Sequence, residues 1–194
     1  MKCVVNFALA LLLAMSAPWA AANTEVAGVS FPDKAKVGDS ELRLNGAGIR
    51  AKFFIKVYAT GLYVPEKKSS AGELLATKGA KRIQIVTLRE LSAEDFAKAL
   101  VEGIHKNYDE TAFAALRART EALQQTILSL KSAPKGALIQ LDWLPAYGTR
   151  LLFNGEKRGE DLSGEDFYQA LLAIWLGEHP AAQDLKDALL GKPQ

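Results

Sequence analysis

The chain has 194 residues, 49% of them hydrophobic, enough for one full core. Its 24 Lys and Arg nearly balance 22 Asp and Glu, and no basic tract stands out. Nucleic acid and anionic membrane surfaces are therefore not expected as partners. The single cysteine is Cys3.

The chain opens with Lys2, an apolar run from Val4 to Met15 broken only by Asn6, and Ala20-Ala21-Ala22 before polar Asn23-Thr24-Glu25. That is the pattern of a secretory signal peptide. The apolar run is too short to span about 30 Å of hydrocarbon at about 1.5 Å per residue. The expected division is a signal peptide over 1–22 and one domain over 23–194, in a periplasmic or secreted protein. Cys3 would leave with the signal, so disulfides and cysteine-based metal or redox chemistry are excluded from the mature chain. No later segment is apolar enough to cross a membrane, and no membrane insertion is expected once the signal is gone.

Val26 to Phe31 reads as a short strand, and Glu41 to Asn45 as another, followed by a Gly46-Ala47-Gly48 turn. Ala51 to Val64 alternates as one strand. Phe53, Ile55, Val57, Ala59 and Tyr63 share the expected core face, and Arg50, Lys52, Lys56, Tyr58 and Thr60 the other. Ser70 to Lys78 predicts a short helix, and Arg82 to Arg89 a strand. Ser92-Ala93-Glu94-Asp95 starts a helix in capping-box fashion, with Phe96, Ala99, Leu100, Gly103 and Ile104 at helical spacing. Glu110 to Lys131 sets Phe113, Leu116, Thr120, Leu123, Ile127 and Leu130 on one stripe. Ala137 to Trp143 and Thr149 to Asn154 alternate as strands, with a hairpin turn from Asn154-Gly155 through Gly159. Ser163 to Asp166 repeats the capping pattern before a helix with Phe167, Ala170, Leu171, Ile174 and Trp175 on its apolar face. After a break at Gly177-Glu178-His179-Pro180, Ala181 to Leu190 predicts the last helix. Strands, a helical middle, more strands and terminal helices make an α+β fold: an antiparallel sheet with helices packed on one face.

Many common sites are absent. There is no Gly-x-Ser-x-Gly elbow, no phosphate loop and no His-Glu-x-x-His. His105 and His179 stand far apart, and nothing spaces them with carboxylates to bind a metal. His105 reads as a helix-surface residue and His179 as a cation after a helix C-terminus. Gly46-x-Gly48 is too short for a dinucleotide fingerprint. Glu165 and Asp166 read as charges capping a helix N-terminus. Trp143, Tyr147 and Trp175 suit either a flat ligand or the core and its rim. No cofactor and no metal is expected.

Arg50 with the Tyr58 hydroxyl is a receptor for a carboxylate or phenolate, or else part of a solvated strand face. Eight residues of straight strand would hold them about 26 Å apart, so they share a ligand only if the chain folds back between Arg50 and Phe54.

The stretch Asn45-Gly-Ala-Gly-Ile-Arg50, followed by Phe54-Ile-Lys-Val-Tyr-Ala-Thr-Gly-Leu-Tyr63, resembles the paired signature of the chalcone isomerase family. Leu91-Ser-Ala-Glu-Asp-Phe96 is similar to the family's helix start after a strand. Leu176-Gly-Glu-His179 with Asp184-Leu-Lys186 is similar to its C-terminal segment. The resemblance implies an open-faced α+β sandwich. In the plant enzymes an arginine steers a phenolate, a threonine and a tyrosine hold a water against the carbonyl oxygen, and an asparagine and a threonine or serine line the pocket. Carried over, the arginine is Arg50. The threonine falls at Tyr58, the tyrosine at Phe96, the asparagine at Gly103 and the late threonine or serine at Ile174. Three polar groups are lost, and with them the water aimed at developing enolate charge.

The same family includes non-catalytic fatty-acid-binding members in which an arginine and a tyrosine hold the carboxylate. The resemblance therefore implies a protein that binds a small apolar acid such as a fatty acid, without chalcone isomerase activity. Its ligand-binding residues would be Arg50, Tyr58, Thr60, Phe96, Gly103, Ile174 and Trp175. Two alternatives stay open. One is an isomerase or intramolecular lyase of chalcone-like phenolics, with Arg50 and Tyr58 as its catalytic residues. The other is an interaction or scaffold protein without a small ligand. The expected state is a monomer.

Overall fold

The computed structural model describes residues 23–192, and the expected signal peptide lies outside them. Strands β1 (Thr24–Val26) and β2 (Val29–Phe31) pair through an Ala27-Gly28 turn. Then come β3 (Lys34–Val37), β4 (Ser40–Lys52), β5 (Ile55–Val64), α1 (Ala71–Ala76) and β6 (Lys81–Thr87). The helical middle is β7 (Leu91–Ser92), α2 (Ala93–His105), α3 (Glu110–Leu128) and β8 (Ser132–Ala133). The chain continues with β9 (Leu138–Leu144), β10 (Gly148–Phe153), β11 (Glu156–Leu162), α4 (Glu165–Leu176) and α5 (Gln183–Leu189). Seven strands form one antiparallel sheet in the order β11-β10-β9-β6-β5-β4-β3. The α+β class and the helix-covered sheet are as the sequence implies.

Register explains the core. Gly46, Leu62, Ile83, Leu141 and Leu151 form one row across five strands, and Gly48, Thr60, Ile85, Ile139 and Phe153 the next. Their apolar members pack under α2, α4 and α5 in the larger core. The run from Phe167 to Leu176 in α4 is buried except for half-buried Gln169, because that helix lies on the sheet and is itself flanked by other helices. Tyr168 donates its hydroxyl to Leu141 O at 2.9 Å, which satisfies the one polar atom of its buried ring. On the opposite face Ala59 and Tyr63 join Phe31, Leu42 and Leu44 in a smaller core beneath the β1–β2 hairpin. Further along, that face is polar. Arg82 grips Asp142 through two bonds of 2.6 Å, and Arg150 holds Asp161 likewise at 2.9 and 2.6 Å.

The structure departs from the sequence pattern at several points. The chain from Ala51 to Val64 is not one strand: it reverses at Phe53-Phe54 between β4 and β5. Gly46-Ala47-Gly48 is not a turn but lies inside β4, beside an irregularity between Leu44 and Gly46. Gly46 serves close packing: a Cβ there would sit 2.1 Å from Ala188 O of α5. The expected core face is also inverted. Phe53 is 84% and Ile55 51% exposed, while the larger core takes Tyr58, Leu62 and Val64. With both faces covered at this end of the sheet, alternation alone does not say which face is the larger core. Strands β3 and β11 lie where no strand is expected. Both carry charged residues along edge strands, where water solvates one side.

Ser92 caps α2 as expected, accepting from Asp95 N at 3.0 Å. The capping pattern at Ser163 does not act that way. Gly164 is the N-cap with no side-chain bond, and Asp166 instead pairs with Arg119 through two 2.7 Å bonds. Glu165 pairs with Lys78 at 2.9 Å.

Gly46→Ala should destabilise the protein by about 1–3 kcal/mol, since the methyl meets backbone that has no rotamer to yield. Gly72 sits in α1 with open space around it. Gly72→Ala should stabilise by about 0.5–1 kcal/mol through helix propensity. Urea melts of both variants check the pair. Equal midpoints would refute the close approach of α5.

Candidate functional site

The β4–β5 hairpin sets the geometry. Arg50 and Tyr58 are direct partners across the strand pair, and Tyr58 is in turn paired with Thr87 of β6. The three therefore stand in one row on the helix-covered face, about 5 Å apart from Cα to Cα. Thr87 is saturated, donating to Pro134 O at 2.6 Å and accepting from Ala137 N at 2.9 Å. Tyr58 is 8% exposed, and its hydroxyl oxygen accepts from Trp175 Nε1 at 3.0 Å. That bond leaves the Tyr58 proton free to be donated to an anion. Burial pushes the Tyr58 pKa above the ordinary tyrosine value; the Trp175 bond and the Arg50 charge oppose that rise. Arg50 is half-buried and donates from Nη1 to Ala51 O. Among the described residues it forms no ion pair.

Tyr58, Phe96, Ile174 and Trp175 are brought into one continuous core, and Gly103 joins it through its contact with Ile174. Phe96 is 7%, Ile174 4% and Trp175 2% exposed. Gly103 and Ile174 mark where α2 crosses α4: a Cβ on Gly103 would be 2.8 Å from Ile174 Cγ2. These two positions fill each other and leave no space between the helices there. Thr60 is fully buried and donates to Gln84 O at 2.8 Å, so its hydroxyl is engaged within the sheet.

The remaining sequence candidates lie apart from this row. Trp143 is buried against Tyr168, with ring centroids 6.0 Å apart, and Tyr147 is 64% exposed. His105 bonds Glu110 at 2.8 Å on the surface. His179 is held by its backbone. Asn107 Oδ1 accepts from His179 N at 2.9 Å, and Asn107 Nδ2 donates to His179 O at 3.1 Å and to Gly103 O at 2.9 Å. The Gly-Glu-His segment is thus a structural clamp. A surface depression of about 460 Å³ beside it is lined by Lys106, Asn107, Tyr108, Gly177 and His179, away from Arg50. Among the described residues, no group of three or more His, Cys, Asp or Glu could hold a metal ion.

Chemically, the row offers a cation and a neutral O–H donor on one apolar floor. That combination binds an oxyanion. It has no carboxylate or imidazole to move a proton. Sequence reasoning did not find the Trp175 bond, since a contact between residues 117 positions apart leaves no local signal. It also did not find Thr87, whose place on the row depends on knowing the β5–β6 register.

A family profile described as chalcone isomerase-like matches residues 23–191. The chain belongs to the chalcone isomerase-like family. Among solved structures, a fatty-acid binding protein of Arabidopsis thaliana shares the fold with a TM-score of 0.68 and 18% identity, over 84% of this chain and 92% of that one. No curated protein matches the sequence. Within this family frame, Arg50 of the Gly-Ala-Gly-Ile-Arg stretch sits on the sheet face under the helices, opposite Tyr58.

The tyrosines give a pH test. Burial raises Tyr58 and, more strongly, Tyr168, and it pushes Tyr63 up to about 12. The folded state holds these protons more tightly than the unfolded chain. Stability from them is full below pH of about 10 and falls as pH rises through the raised values. Tyrosinate absorbance should therefore appear late for these residues and together with unfolding. Arg50→Ala should push the Tyr58 midpoint higher still, because the lost cation favoured the phenolate. An unmoved midpoint, with Tyr58→Phe used to assign it, would show that the two groups are uncoupled.

Proposed function

We propose that this chalcone isomerase-like protein binds a small apolar acid of the fatty-acid class and does not cyclise chalcones. The observation that carries the reading is the Arg50–Tyr58 row, in which Trp175 occupies the tyrosine oxygen and leaves its proton for a carboxylate. The fold shared with a fatty-acid binding protein supports it. The carboxylate would bridge Arg50 and Tyr58, and the chain would lie among the apolar side chains of the helix face near Phe96 and Trp175. The α2–α4 contact at Gly103 and Ile174 is closed, so the approach lies at the Arg50 end of the row. The enzyme alternative lacks its donors at Phe96, Gly103 and Ile174, and no base stands in for them.

A charge-assisted bond to a carboxylate contributes about 1.5–3 kcal/mol. Arg50→Ala should weaken palmitate binding by about 10- to 150-fold and barely change binding of its methyl ester. Titration calorimetry of both ligands checks this, with quenching or enhancement of Trp175 emission as a second signal. Equal losses for acid and ester would remove Arg50 as the anchor. Chalcone turnover with kcat/KM above about 10⁴ M⁻¹s⁻¹, the low end of ordinary enzymes, would favour the isomerase instead.

The proposed setting is periplasmic or extracellular, with residues 1–22 removed, on the pattern of Lys2, the Val4–Met15 run and Ala20-Ala21-Ala22. Intact mass of the exported protein should begin at or within a few residues of Asn23, and retention of Met1 would refute removal.

A further inference from the structure

The β4–β5 turn is built from the wrong residues for a turn. Both central residues of this two-residue hairpin, Phe53 and Phe54, have positive φ, 48° and 65°. That conformation is the one Asn-Gly and Asp-Gly favour, and it strains a bulky side chain. Neither ring recovers the strain by packing: Phe53 is 84% and Phe54 fully exposed, and the next residue, Ile55, is 51% exposed. These three are the large apolar side chains most fully given to water near the row, and they form one contiguous tip. Lys52 and Lys56 flank it, both exposed. Arg89 is exposed beside them, because Leu88 N bonds Val57 O at 2.9 Å and brings the end of β6 to the level of Lys56. Glu90 is the exposed acid next to it. Among the described residues none of the three cations forms an ion pair.

We propose that this hairpin tip docks the protein on an anionic phospholipid surface, with Phe53, Phe54 and Ile55 in the acyl boundary and Lys52, Lys56 and Arg89 at the headgroup phosphates. Two features favour a bilayer over a protein partner. Two phenyl rings offer roughly 300–500 Å², well under the about 800 Å² per partner of a stable protein interface. The order cation-aromatic-aromatic-aliphatic-cation also matches the layering of a lipid interface, in which aromatic rings sit at headgroup level and cations meet phosphate. The near-neutral charge of the whole chain gave no hint of such a surface, since a total does not register three cations gathered at one end of a sheet. The inference stands whether or not a carboxylate occupies Arg50.

The test uses the Phe53→Asn/Phe54→Gly double variant, which supplies the residues this turn prefers. It should melt at the same temperature as wild type or higher. Its co-sedimentation with vesicles of three parts phosphatidylcholine to one part phosphatidylglycerol should be weaker by at least about 20-fold, the two phenyl groups being lost from the apolar layer. Lys52→Gln and Lys56→Gln should each weaken binding about fivefold. They should have little effect on vesicles of phosphatidylcholine alone, and the lysine effect should fade with added salt. Comparing variants in one and the same chain cancels any contribution of residues 1–22. Palmitate binding, measured in parallel, should be unchanged in the double variant, so the docking and ligand readings fail separately. Equal sedimentation of wild type and double variant, or loss of vesicle binding only together with a lowered melting temperature, would overturn the proposal. Ile55→Cys carrying an environment-sensitive dye gives a second readout: its emission should shift to the blue on adding the anionic vesicles, and an unshifted spectrum would overturn it too.

Discussion

A left-handed two-residue turn at Phe53-Phe54 sets Arg50 against Tyr58 through its backbone alone, the rings standing in water, and the rest of the site depends on that reversal. Without it, eight residues of extended chain would separate the two by about 26 Å. With it, they face each other across a strand pair. Register matters as much as the turn. A one-residue slip would send Arg50 to the opposite face of the sheet, away from the helices and from Trp175. Irregularities between Leu44 and Gly46 and between Arg50 and Ala51 bracket the segment and reset its alignment at both ends. Extra residues of this kind usually re-aim a side chain. Here the extra residues are Asn45 of β4 and Val57 of β5, the second standing directly beside Tyr58.

Two asparagines hold the cover over that face. Asn45 Nδ2 donates to Leu189 O at 2.7 Å and to Lys68 O at 3.0 Å, while its Oδ1 accepts from Lys68 N at 2.7 Å. One side chain thereby ties β4, the chain after β5 and the end of α5. Gly46 beside it lets α5 descend onto the strand. Asn107 does the equivalent work at the other end, joining the C-terminus of α2 to the turn at His179. A Cβ on Gly177 would be 2.2 Å from Asn107 Oδ1, so that glycine belongs to the same device. Asn45 and Gly46 of the first resembling stretch, and Gly177 and His179 of the last, thus serve to close the helical layer over the sheet. Arg50 and Tyr58 of the paired signature take no part in that closure between the layers' ends and face each other instead.

This division explains what the sequence revealed and what it hid. Helices α2 and α4 were legible because Phe96, Leu100 and Ile104, and Phe167, Leu171 and Ile174, recur at helical spacing. The α+β class followed from the order of elements. The β4–β5 turn was illegible because its residues are Phe-Phe, flanked by alternating strand residues on both sides. Turn chemistry places the reversal at Gly46-Ala47-Gly48, where Gly46 instead answers to packing. The core face was misassigned for a related reason. Ala59 and Tyr63 are fully buried, and so are Thr60 and Leu62 on the other side. Alternation marks two faces but does not rank them. For the site, Arg50 and Tyr58 were visible as residue types, whereas the Trp175 bond and the Thr87 position needed the tertiary register.

The closed contact between Gly103 and Ile174 bears on how catalysis would be lost in a chain of this family. The resemblance assigns polar groups to both positions. Replacing them by apolar residues could have left a greasy hollow, but here the pair is complementary: α4 places Ile174 into the space that the missing side chain at Gly103 vacates. Restoring an asparagine at 103 alone would drive its Cβ to 2.8 Å from Ile174 Cγ2 and force the helices apart, with no pocket regained. At this crossing the polar groups and the space beside them are replaced together by one packed contact. What persists is the end of the row that needs neither. Arg50 and Tyr58 stand on the sheet itself, fixed by strand register and by Trp175, and the α2–α4 crossing does not reach between them. On the proposed reading, an acid head group would be held at this end of the row, with its chain toward Phe96 and Trp175. The placement of Arg50 against Tyr58 is thus set by strand register, independently of the helix crossing that Gly103 and Ile174 close.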